Sequence, residues 1–443
     1  MAILTKDEAQ AILKKVLSYS KSDECEASLS GSVGGNIRYA RNSVSTSGMN
    51  EDTSLSVESR FGKRAGVATV NVFDDESLRK VVQRAEEIAR IAPENPEYIP
   101  FLGSQTYLPA SAHFATTANI KPEFRAEVAG KSIELANAKG LTAAGYLEDA
   151  SAFRSTMNTK GLFNYGQDSS VTFSVTVRTA DGTGSGYATR DFSDVSKFDT
   201  AEPSQVAIAK ALGSANAKAI EPGKYTVILE PAALVANTDA SLLGALFNSL
   251  SARPADEGRS FLSKKGGGNK LGEKLFDDRI TVYSDPNNPE IPSLTWSNDG
   301  RPREKVTWIE KGVVKNLFTT RYWAQKQNIK SIPEPGGFIM LGGTQSVDDM
   351  IKSTDRGILI TRLWYIRPVD PQTLLYTGLT RDGTFYIENG KIKHPVKNFR
   401  FNESPVIMLN NLEALGKPMR VGGNLIPPMK IRDFTFTSLS DAV

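Results

Sequence analysis

The stretch from 221 to 286 constrains the fold of this chain more than any other part of the sequence. An apolar run at 225–229 indicates a buried strand, and the Ala/Leu-rich segment 232–252 predicts a helix directly after it. A loop rich in glycine and lysine follows, and residues 280–283 predict a second strand. We expect a functional site in this stretch, where a strand, a helix, a glycine-rich loop and a second strand follow one another.

Length and composition indicate a globular protein of two or three domains. The chain has 443 residues, of which 40% are hydrophobic and 23% charged. Its formal net charge is +3 and it contains no block of five or six like charges, so the sequence does not favour direct contact with nucleic acid. It also contains no run of about 18 apolar residues, and we therefore predict no transmembrane helix.

The N-terminal residues predict a helix rather than a signal peptide. Their apolar side chains recur at helical spacing among charges, and Thr5 with Glu8 matches a capping box. The single cysteine, Cys25, excludes an internal disulfide. Together these features lead us to expect a cytoplasmic protein.

The predicted fold class is α+β, with two N-terminal α/β units that carry antiparallel or mixed sheets and a larger β-rich C-terminal domain. The first unit spans 1–92, a proline-containing linker spans 93–119, the second unit spans 120–221, and the C-terminal domain spans 222–443. Each N-terminal unit has the order helix, strands, helix. The predicted strands are short and separated by glycines, at 25–29, 36–40, 43–47, 53–59, 64–72, 143–148, 151–157, 162–167, 170–178 and 184–190. The longer helices are predicted after the cap at Asp74 and at 122–138, 203–220 and 405–415, and a short helix is predicted at 321–326. In the C-terminal domain, Lys311-Gly312 and Asn389-Gly390 each predict a hairpin turn.

The sequence lacks the usual ligands of a catalytic transition metal. Metal-dependent hydrolysis needs two histidines about one helical turn apart and a carboxylate that activates water. This chain has only His113 and His394, which lie far apart in the sequence, and Cys25 lies in a predicted strand where we expect it to be buried. Serine and cysteine nucleophiles lose their base for the same reason.

The glycine loop does not match a phosphate-binding loop. Gly272 is followed by Glu273 rather than by the required lysine and hydroxyl residue, so we expect a flexible turn. The nearby carboxylates leave an oxygen-ligand site for a hard cation open, although no loop-ligand spacing supports one. These carboxylates are Asp239, Asp256, Glu257 and Asp285.

Several motifs in a fixed order resemble the TldD/PmbA family, proteins once called modulators of DNA gyrase. The resemblance covers nearly the whole chain and is closest to the TldE (PmbA) branch. It is carried by RFGKRAGVATVNVFDDESLRKVVQRAEEIA near the N-terminus and by YTVILEP, EGRSFL, LGEKLFDDRITVYSDP, SNDGRPREKVTWIEKGVVKNLFTTRYWAQK and FYIENGKIKHPVKNFRFNESPVIMLNNLEALG in the C-terminal domain.

The resemblance implies a metallopeptidase family whose zinc ligands this chain lacks. In the TldD branch a His-Glu-x-x-x-His helix follows the strand that corresponds to 225–230, and a cysteine ligand lies further on. Aligned without gaps, Asp239, Ala240 and Gly244 replace the first histidine, the glutamate and the second histidine. We therefore carry over no catalytic or metal residue and expect no cofactor in this chain, with zinc in a TldD-like partner.

The resemblance also implies a cytoplasmic heterodimer with a TldD-like catalytic subunit, which digests unfolded peptides, including leader segments. A homodimer is possible in isolation, and no membrane or nucleic-acid partner is implied. The metal-free chain would form part of the cavity wall, and we expect its polar, glycine-rich loop to face the cavity or the partner. The candidate residues are Glu257, Gly258, Arg259, Ser260, Gly266, Gly267, Gly268 and Lys270.

Two alternatives stay open at this point. In the first, the chain is a stand-alone homodimeric metallopeptidase or other hydrolase, in which Asp239, Asp256, Glu257 and Asp285 hold a hard cation. In the second, it is a binding regulator of DNA gyrase or of a toxin–antitoxin system, as the old family name suggests.

Overall fold

The N-terminal half is organised by one antiparallel sheet. We analysed a computed structural model that describes residues 3–109, 111–235 and 240–440. The strand order is β3-β2-β1-β4-β5-β6, so the second predicted unit continues the sheet of the first. The domain ranges 1–92, 93–119, 120–221 and 222–443 stay predictions. The strands are β1 (Glu24–Ala40), β2 (Ser43–Phe61), β3 (Arg64–Val70), β4 (Thr142–Asn158), β5 (Phe163–Arg178) and β6 (Ser185–Phe192).

The prediction of short strands separated by glycines was wrong. β1 pairs without a break with β4 through Gly31, Gly34 and Gly35, and β4 pairs with β5 through Gly145. The glycines lie inside extended strands, where they remove a side chain rather than end the ladder. The glycines therefore led to predicted strand ends at places where the backbone pairing continues.

Helices cover one face of this sheet. Alternate residues of β1, such as Cys25 and Leu29 at one end and Ile37 and Tyr39 at the other, pack into two hydrophobic clusters with the helices. The capping box of Thr5 with Glu8 and the cap at Asp74 are confirmed. The helices of this half are α1 (Lys6–Tyr19), α2 (Asp75–Ile91), α3 (Ala115–Ala118), α4 (Pro122–Asn137) and α5 (Glu202–Gly213).

Glycines on the covered face let the helices approach closely. A Cβ atom at Gly66 would overlap the backbone of α2, and one at Gly186 would overlap the backbone of α5. At Gly35 the added atom would overlap the guanidinium of Arg125, which projects from α4. The requirement for glycine at these positions is therefore one of packing.

Arg125 forms an ion pair inside this layer. Its Nε and Nη2 donate to the two carboxylate oxygens of Asp149 on β4 at 2.5 and 2.8 Å, and the two side chains are 2% and 5% exposed. The bidentate geometry satisfies both charges away from water. This pair ties α4 to the sheet.

The C-terminal half contains two further sheets that share one hydrophobic core, which includes Val227 and Trp308. Its strands are β7 (Lys224–Leu229), β8 (Val282–Ser284), β9 (Val306–Glu310), β10 (Val313–Val314), β11 (Ile339–Met340), β12 (Arg356–Asp370), β13 (Leu375–Glu388), β14 (Lys391–Pro395), β15 (Phe399–Glu403), β16 (Leu412–Leu415), β17 (Met419–Val421), β18 (Asn424–Ile426) and β19 (Met429–Leu439). One sheet has the order β10-β9-β8-β11-β18-β17, and the other has β12-β7-β19-β15-β13-β14, with β16 paired to β19. The predicted α+β class with a β-rich C-terminal domain is confirmed.

Two predicted hairpins are confirmed by their turn conformations. Lys311 and Gly312 both have positive φ between β9 and β10, and Asn389 and Gly390 do so between β13 and β14. Positive φ at both central residues matches the right-handed twist of the flanking strands.

The predicted helix over 232–252 was wrong. The described residues form three short helices instead, and residues 236–239 lie outside the description. Ser241 and Ser251 have extended backbone dihedrals and begin new helices. Serine side chains compete with the backbone hydrogen bonds of a helix in this way. The Ala/Leu content alone therefore predicted a helix that is too long. The helices are α6 (Pro231–Leu234), α7 (Leu242–Asn248) and α8 (Ala252–Asp256).

The second predicted strand of the stretch 221–286 begins at Val282, later than the predicted residue 280. Two other helices end earlier than predicted. The helix expected over 203–220 ends at Gly213, because Ser214 caps it and Asn216 adopts positive φ. The helix expected over 405–415 ends at Asn410, after which the chain pairs with β19. The remaining helices are α9 (Arg321–Gln327), α10 (Val347–Lys352) and α11 (Pro405–Asn410). Among the described residues, no helix is long and apolar enough to cross a membrane.

Polar contacts join the two halves at the β6 end of the N-terminal sheet. Asp191 accepts hydrogen bonds from the backbone N–H groups of Gly422 and Gly423 and from Nε of Arg420. Ser185 donates to the buried carboxylate of Asp382 on β13 at 2.6 Å. These bonds fix the orientation of the N-terminal sheet against the C-terminal domain.

We predict that Asp149→Ala lowers the free energy of unfolding by about 3–5 kcal/mol, because it leaves the buried Arg125 without its partner. Urea-induced unfolding followed by circular dichroism measures the change. Glu134→Ala is the matched control, since it breaks the exposed Lys131–Glu134 pair on the same helix and should cost less than about 1 kcal/mol. Equal losses in the two variants would contradict a structural role of the buried pair.

Candidate functional site

The uncovered face of the N-terminal sheet is polar, and its β1–β2 end borders a cleft against the C-terminal domain. A Cβ atom at Gly166 of β5 would overlap the ring of Trp296, so the domains touch closely there. The arm formed by residues 95–109 closes the side of the cleft. Tyr107 in this arm donates from its hydroxyl to the carbonyl of Gly300 at 2.7 Å.

The cleft contains two cavities of about 600 and 400 Å³, and both are lined by Ile99, Leu102 and Arg321. The larger one lies between the arm, the start of β9 and helix α9. The smaller one lies between the arm and the polar face of β1 and β2, where Glu26, Glu58 and Arg60 reach it. Volumes of this size accommodate ligands such as a short peptide segment.

Acidic and basic groups alternate along the wall of the smaller cavity. Glu26 and Glu58 are directly opposite each other on β1 and β2. Burial raises the pKa of the Glu26 carboxyl above its ordinary value, against the opposing effect of a hydrogen bond from Asn158. Arg60 pairs with Glu58 at 2.7 Å and lies 3.6 Å from the ring centre of Phe101, which holds the arm against the sheet.

Two buried polar atoms on the same sheet face have no partner among the described residues. They are Nδ2 of Asn164 and Oδ1 of Asp168, both on β5. Burial raises the pKa of the Asp168 carboxyl, and Arg154 acts in the opposite direction. Unsatisfied buried polar atoms are uncommon in native proteins, so this face has spare hydrogen-bonding capacity.

The predicted glycine-rich loop is a separate exposed turn. Gly266, Gly267 and Gly268 all have positive φ, and a Cβ atom added to any of them would meet open space. Lys270 donates to the carbonyl of Phe261 at 2.7 Å, which closes the base of the loop. The residues lining the two cavities include none of these four, and their contact with a partner stays a prediction.

The other half of the predicted set forms a small ion-pair network. Glu257 accepts from Arg253 and Arg259, which hold the pKa of its carboxyl below the ordinary value. Gly258 has positive φ, and Ser260 is buried with its hydroxyl bound to the N–H of Leu262. Arg253 connects this network to the cleft, through its pair with Glu97 at 2.6 Å.

The described carboxylates among those considered for a hard cation do not form a metal-binding cluster. Asp256 accepts from Nδ2 of Asn269 at 2.6 Å and from Nε1 of Trp323 at 2.7 Å, so both of its oxygens anchor the glycine loop to helix α9. Asp285 accepts from the N–H of Asn287 in a turn. Asp239 lies outside the described residues. Within the described part of the chain, no three His, Cys, Asp or Glu side chains cluster as metal ligands would.

Of the residues that the resemblance aligns with the zinc motif, those that the structure describes offer no side-chain ligand for zinc. Ala240 is exposed and has no ligand atom, and Asp239 lies outside the description. Gly244 is the third residue of α7, where its N–H donates to the Ser241 hydroxyl at 3.2 Å. A side chain at Gly244 would overlap that hydroxyl, so a histidine there would disturb the helix cap.

The histidine and cysteine side chains, which could bind a metal, lie in three separate places. Cys25 is fully buried in the α1–α2 cluster, as expected, and burial raises the pKa of its thiol. His394 stacks on Tyr386 with ring centres 5.2 Å apart at the end of β14. His113 is exposed in the segment before α3. The structure therefore does not bring these three side chains together.

Sequence reasoning did not identify Arg321 or the arm as parts of the site. The arm was predicted as a linker because of its prolines, and Arg321 was noted only as the start of a short helix. The available signal was the aromatic content of the arm and the aromatic and basic residues of α9. Arg321 donates from Nη2 to the carbonyl of Pro100 at 2.7 Å.

Two family domains match the chain and together cover most of it. The PmbA/TldA metallopeptidase C-terminal domain matches residues 222–438, and PmbA/TldA metallopeptidase domain 1 matches residues 25–89. The first contains the cavity wall formed by β9 and α9, and the second contains the wall formed by β1 and β2. The chain belongs to the PmbA/TldD family of metallopeptidase-like proteins.

Relatives in sequence and structure span nearly the same length. The Metalloprotease PmbA of Escherichia coli O157:H7 is 22% identical over 97% of this chain and 98% of its own. The crystal structure of TldE from Thermococcus kodakarensis superposes with a TM-score of 0.86 at 18% identity, covering 97% of this chain and 99% of that one. A putative modulator of DNA gyrase from Bacteroides thetaiotaomicron gives a TM-score of 0.85 at 20% identity, over 99% and 100% of the two chains. These structures share the fold.

We predict that Asp256→Ala loosens the glycine loop, because it removes the acceptor of both anchoring hydrogen bonds. Limited trypsin digestion should then cut after Lys264 or Lys265 several times faster than in the unaltered chain, as followed by mass spectrometry. Asp278→Ala is the matched control, since its exposed pair with Lys274 does not hold the loop in place. An unchanged cleavage rate in Asp256→Ala would refute the anchoring role.

Proposed function

We propose that this chain is a non-catalytic, TldE-like subunit of a peptidase complex. It pairs with a TldD-like metallopeptidase chain and forms part of the wall of the cavity in which unfolded peptides, including leader segments, are cleaved. The observation that carries the proposal is the donor chemistry after β7. Where the family resemblance places a zinc-binding helix, this chain has Ala240 and Gly244, which offer no ligand atom, in a segment broken into short helices.

The cleft supports a role in holding peptide. It lies between a polar sheet face and apolar residues of the arm, so it offers both hydrogen-bonding groups and apolar surface. Spare hydrogen-bonding capacity at Asn164 and Asp168 lies on the same sheet face. A wall of this kind suits extended peptide of varied sequence, because main-chain groups supply much of the affinity.

An uncovered sheet edge supports association with a second chain. Residues 43–52 of β2 are all exposed and pair only with β1 in the part of the chain that the structure describes. This edge contains no lysine, arginine or proline, the residues that usually protect edges from pairing. We propose that the TldD-like partner contacts this edge, and amide hydrogen exchange of 43–52 should then slow in the complex. Unchanged exchange would contradict this contact.

The proposal places the complex in the cytoplasm, where the one cysteine would stay reduced. Cys25 is buried and needs no disulfide partner for its packing. The near-neutral net charge of +3 does not favour binding to DNA. The proposal therefore includes no nucleic-acid or membrane partner.

We predict that the purified chain holds far less than one zinc per chain and does not cleave an unfolded peptide. Adding a TldD-like chain that carries His-Glu-x-x-x-His should give a complex of the two and start cleavage. Elemental analysis, light scattering and a quenched-fluorescence peptide assay measure the three quantities. The TldD-like chain alone is the control for cleavage.

Two outcomes would contradict the proposal. Zinc near one per isolated chain, with cleavage that a chelator abolishes, would support a stand-alone metallopeptidase instead. Failure of the two chains to associate, with full cleavage by the TldD-like chain alone, would remove the role in the complex.

A further inference from the structure

The wall shared by the two cavities carries an arginine without an acidic partner. Arg321 is partly buried at the start of α9 and lines both cavities. Nη2 of its guanidinium donates one hydrogen bond, to the carbonyl of Pro100. No Asp or Glu oxygen of the described residues lies within ion-pair distance of it. A guanidinium has five N–H donors, so most of them remain for a ligand.

The other arginines of the cleft are neutralised. Arg60 pairs with Glu58 at 2.7 Å, Arg253 with Glu97 at 2.6 Å, and Arg301 with Asp299 at 2.8 Å. Of the four arginines that line the two cavities, Arg321 alone differs in this respect among the described residues. Arg321 is thus the arginine of the cleft whose charge no described acid compensates.

The nearest acids are engaged elsewhere. Asp299 accepts from Arg301 and from the hydroxyl of Ser297 at 2.6 Å. Glu26 accepts from Nδ2 of Asn158 at 3.0 Å. Burial lowers the pKa of the Arg321 guanidinium from its ordinary value, with only long-range compensation from Asp299 and Glu26. Since desolvating an unpaired cation costs free energy, a bound anion would be stabilising here.

The surroundings of Arg321 indicate what kind of anion fits. The larger cavity is lined by apolar side chains of the arm and of the segment after α9, including Ile99, Leu102, Ile329 and Ile332. Its other charged residues are Glu304, Lys330 and Arg301, the last of which is paired with Asp299, so the cations Arg321 and Lys330 outnumber the single acid. A planar carboxylate matches the fork of a guanidinium bidentately. The cavity therefore suits a carboxylate attached to an apolar group.

We propose that Arg321 binds a carboxylate of a short peptide, whose neighbouring apolar side chain occupies the larger cavity. The carboxylate belongs to the peptide's C-terminus or to an acidic side chain, and both present the same chemistry. The identity of the ligand as a peptide rests on the proposed function. Binding to the isolated chain requires neither a partner nor cleavage, so the two ideas fail separately.

The test compares fluorescein-labelled, alanine-rich hexapeptides that end in leucine, by fluorescence anisotropy with the isolated full-length chain. One peptide has a free C-terminal carboxylate, the second has a C-terminal amide, and the third is the amide with glutamate before the leucine. The free acid should bind at least about tenfold more tightly than the plain amide, as one charge-assisted contact provides. Raising the salt concentration should reduce the difference.

Variants test whether Arg321 causes the preference for the free acid. Arg321→Gln should abolish the preference for the acid, and Arg321→Lys should restore part of it. Lys326→Gln is the matched control, since it removes one positive charge from the same helix at a residue outside both cavity linings and should leave the preference unchanged. Circular dichroism melting curves check that each variant is folded.

Each outcome decides the proposal. Tight binding of the glutamate-containing amide would support the carboxylate site and assign it to an acidic side chain, whereas binding of the free acid alone would assign it to the C-terminus. Equal binding of the acid and both amides, no binding of any peptide, or a preference that persists in Arg321→Gln would overturn the proposal.

Discussion

The long antiparallel pairing of β1 with β2 and β4 is the constraint on which the rest of the structure depends. Because side chains alternate along these strands, the apolar residues of one face pack against the helices and the other face is mainly polar. The helices bury the apolar face, with glycines at 35, 66 and 186 where they approach most closely. The polar face then remains for the C-terminal domain and the cleft.

The cleft shows how the protein distributes charge around its two cavities. Most charges of its wall are paired: Arg60 with Glu58, Arg253 with Glu97, and Arg301 with Asp299. Such pairs hold the arm and the loops in position but leave little free chemistry. Arg321 is the exception among the described arginines of the two cavities, so its guanidinium keeps donors for a ligand.

Local signals in the sequence predicted those elements whose cause is local. The capping box at Thr5, the cap at Asp74 and the turn at Asn389 and Gly390 depend on neighbouring residues, and the structure contains all three. Strand continuity through Gly35 depends on the ladder with β4, and the requirement for glycine there depends on Arg125 of a later helix. Pairing across such distances is not visible in local composition.

The candidate site could be predicted only in part, because some of its contacts also join residues that are far apart in the sequence. The small number of histidines and cysteines is visible in the sequence, and metal coordination depends on residue type. The position of Arg321 beside the arm could not be inferred, since its contact with Pro100 joins residues more than 200 positions apart. The exposed glycine loop was conspicuous in the sequence, yet the larger cavities lie elsewhere.

The central claim is that hydrolysis in the complex belongs to the other chain. The most direct measurement is the peptide-cleavage rate of a complex assembled from this chain, unaltered, and a TldD-like partner whose motif glutamate is replaced by glutamine. Light scattering confirms that the complex still forms. The account predicts that cleavage falls to the background rate. Cleavage that continues at the rate of the unaltered complex would show that this chain itself breaks the peptide bond, and would contradict the account.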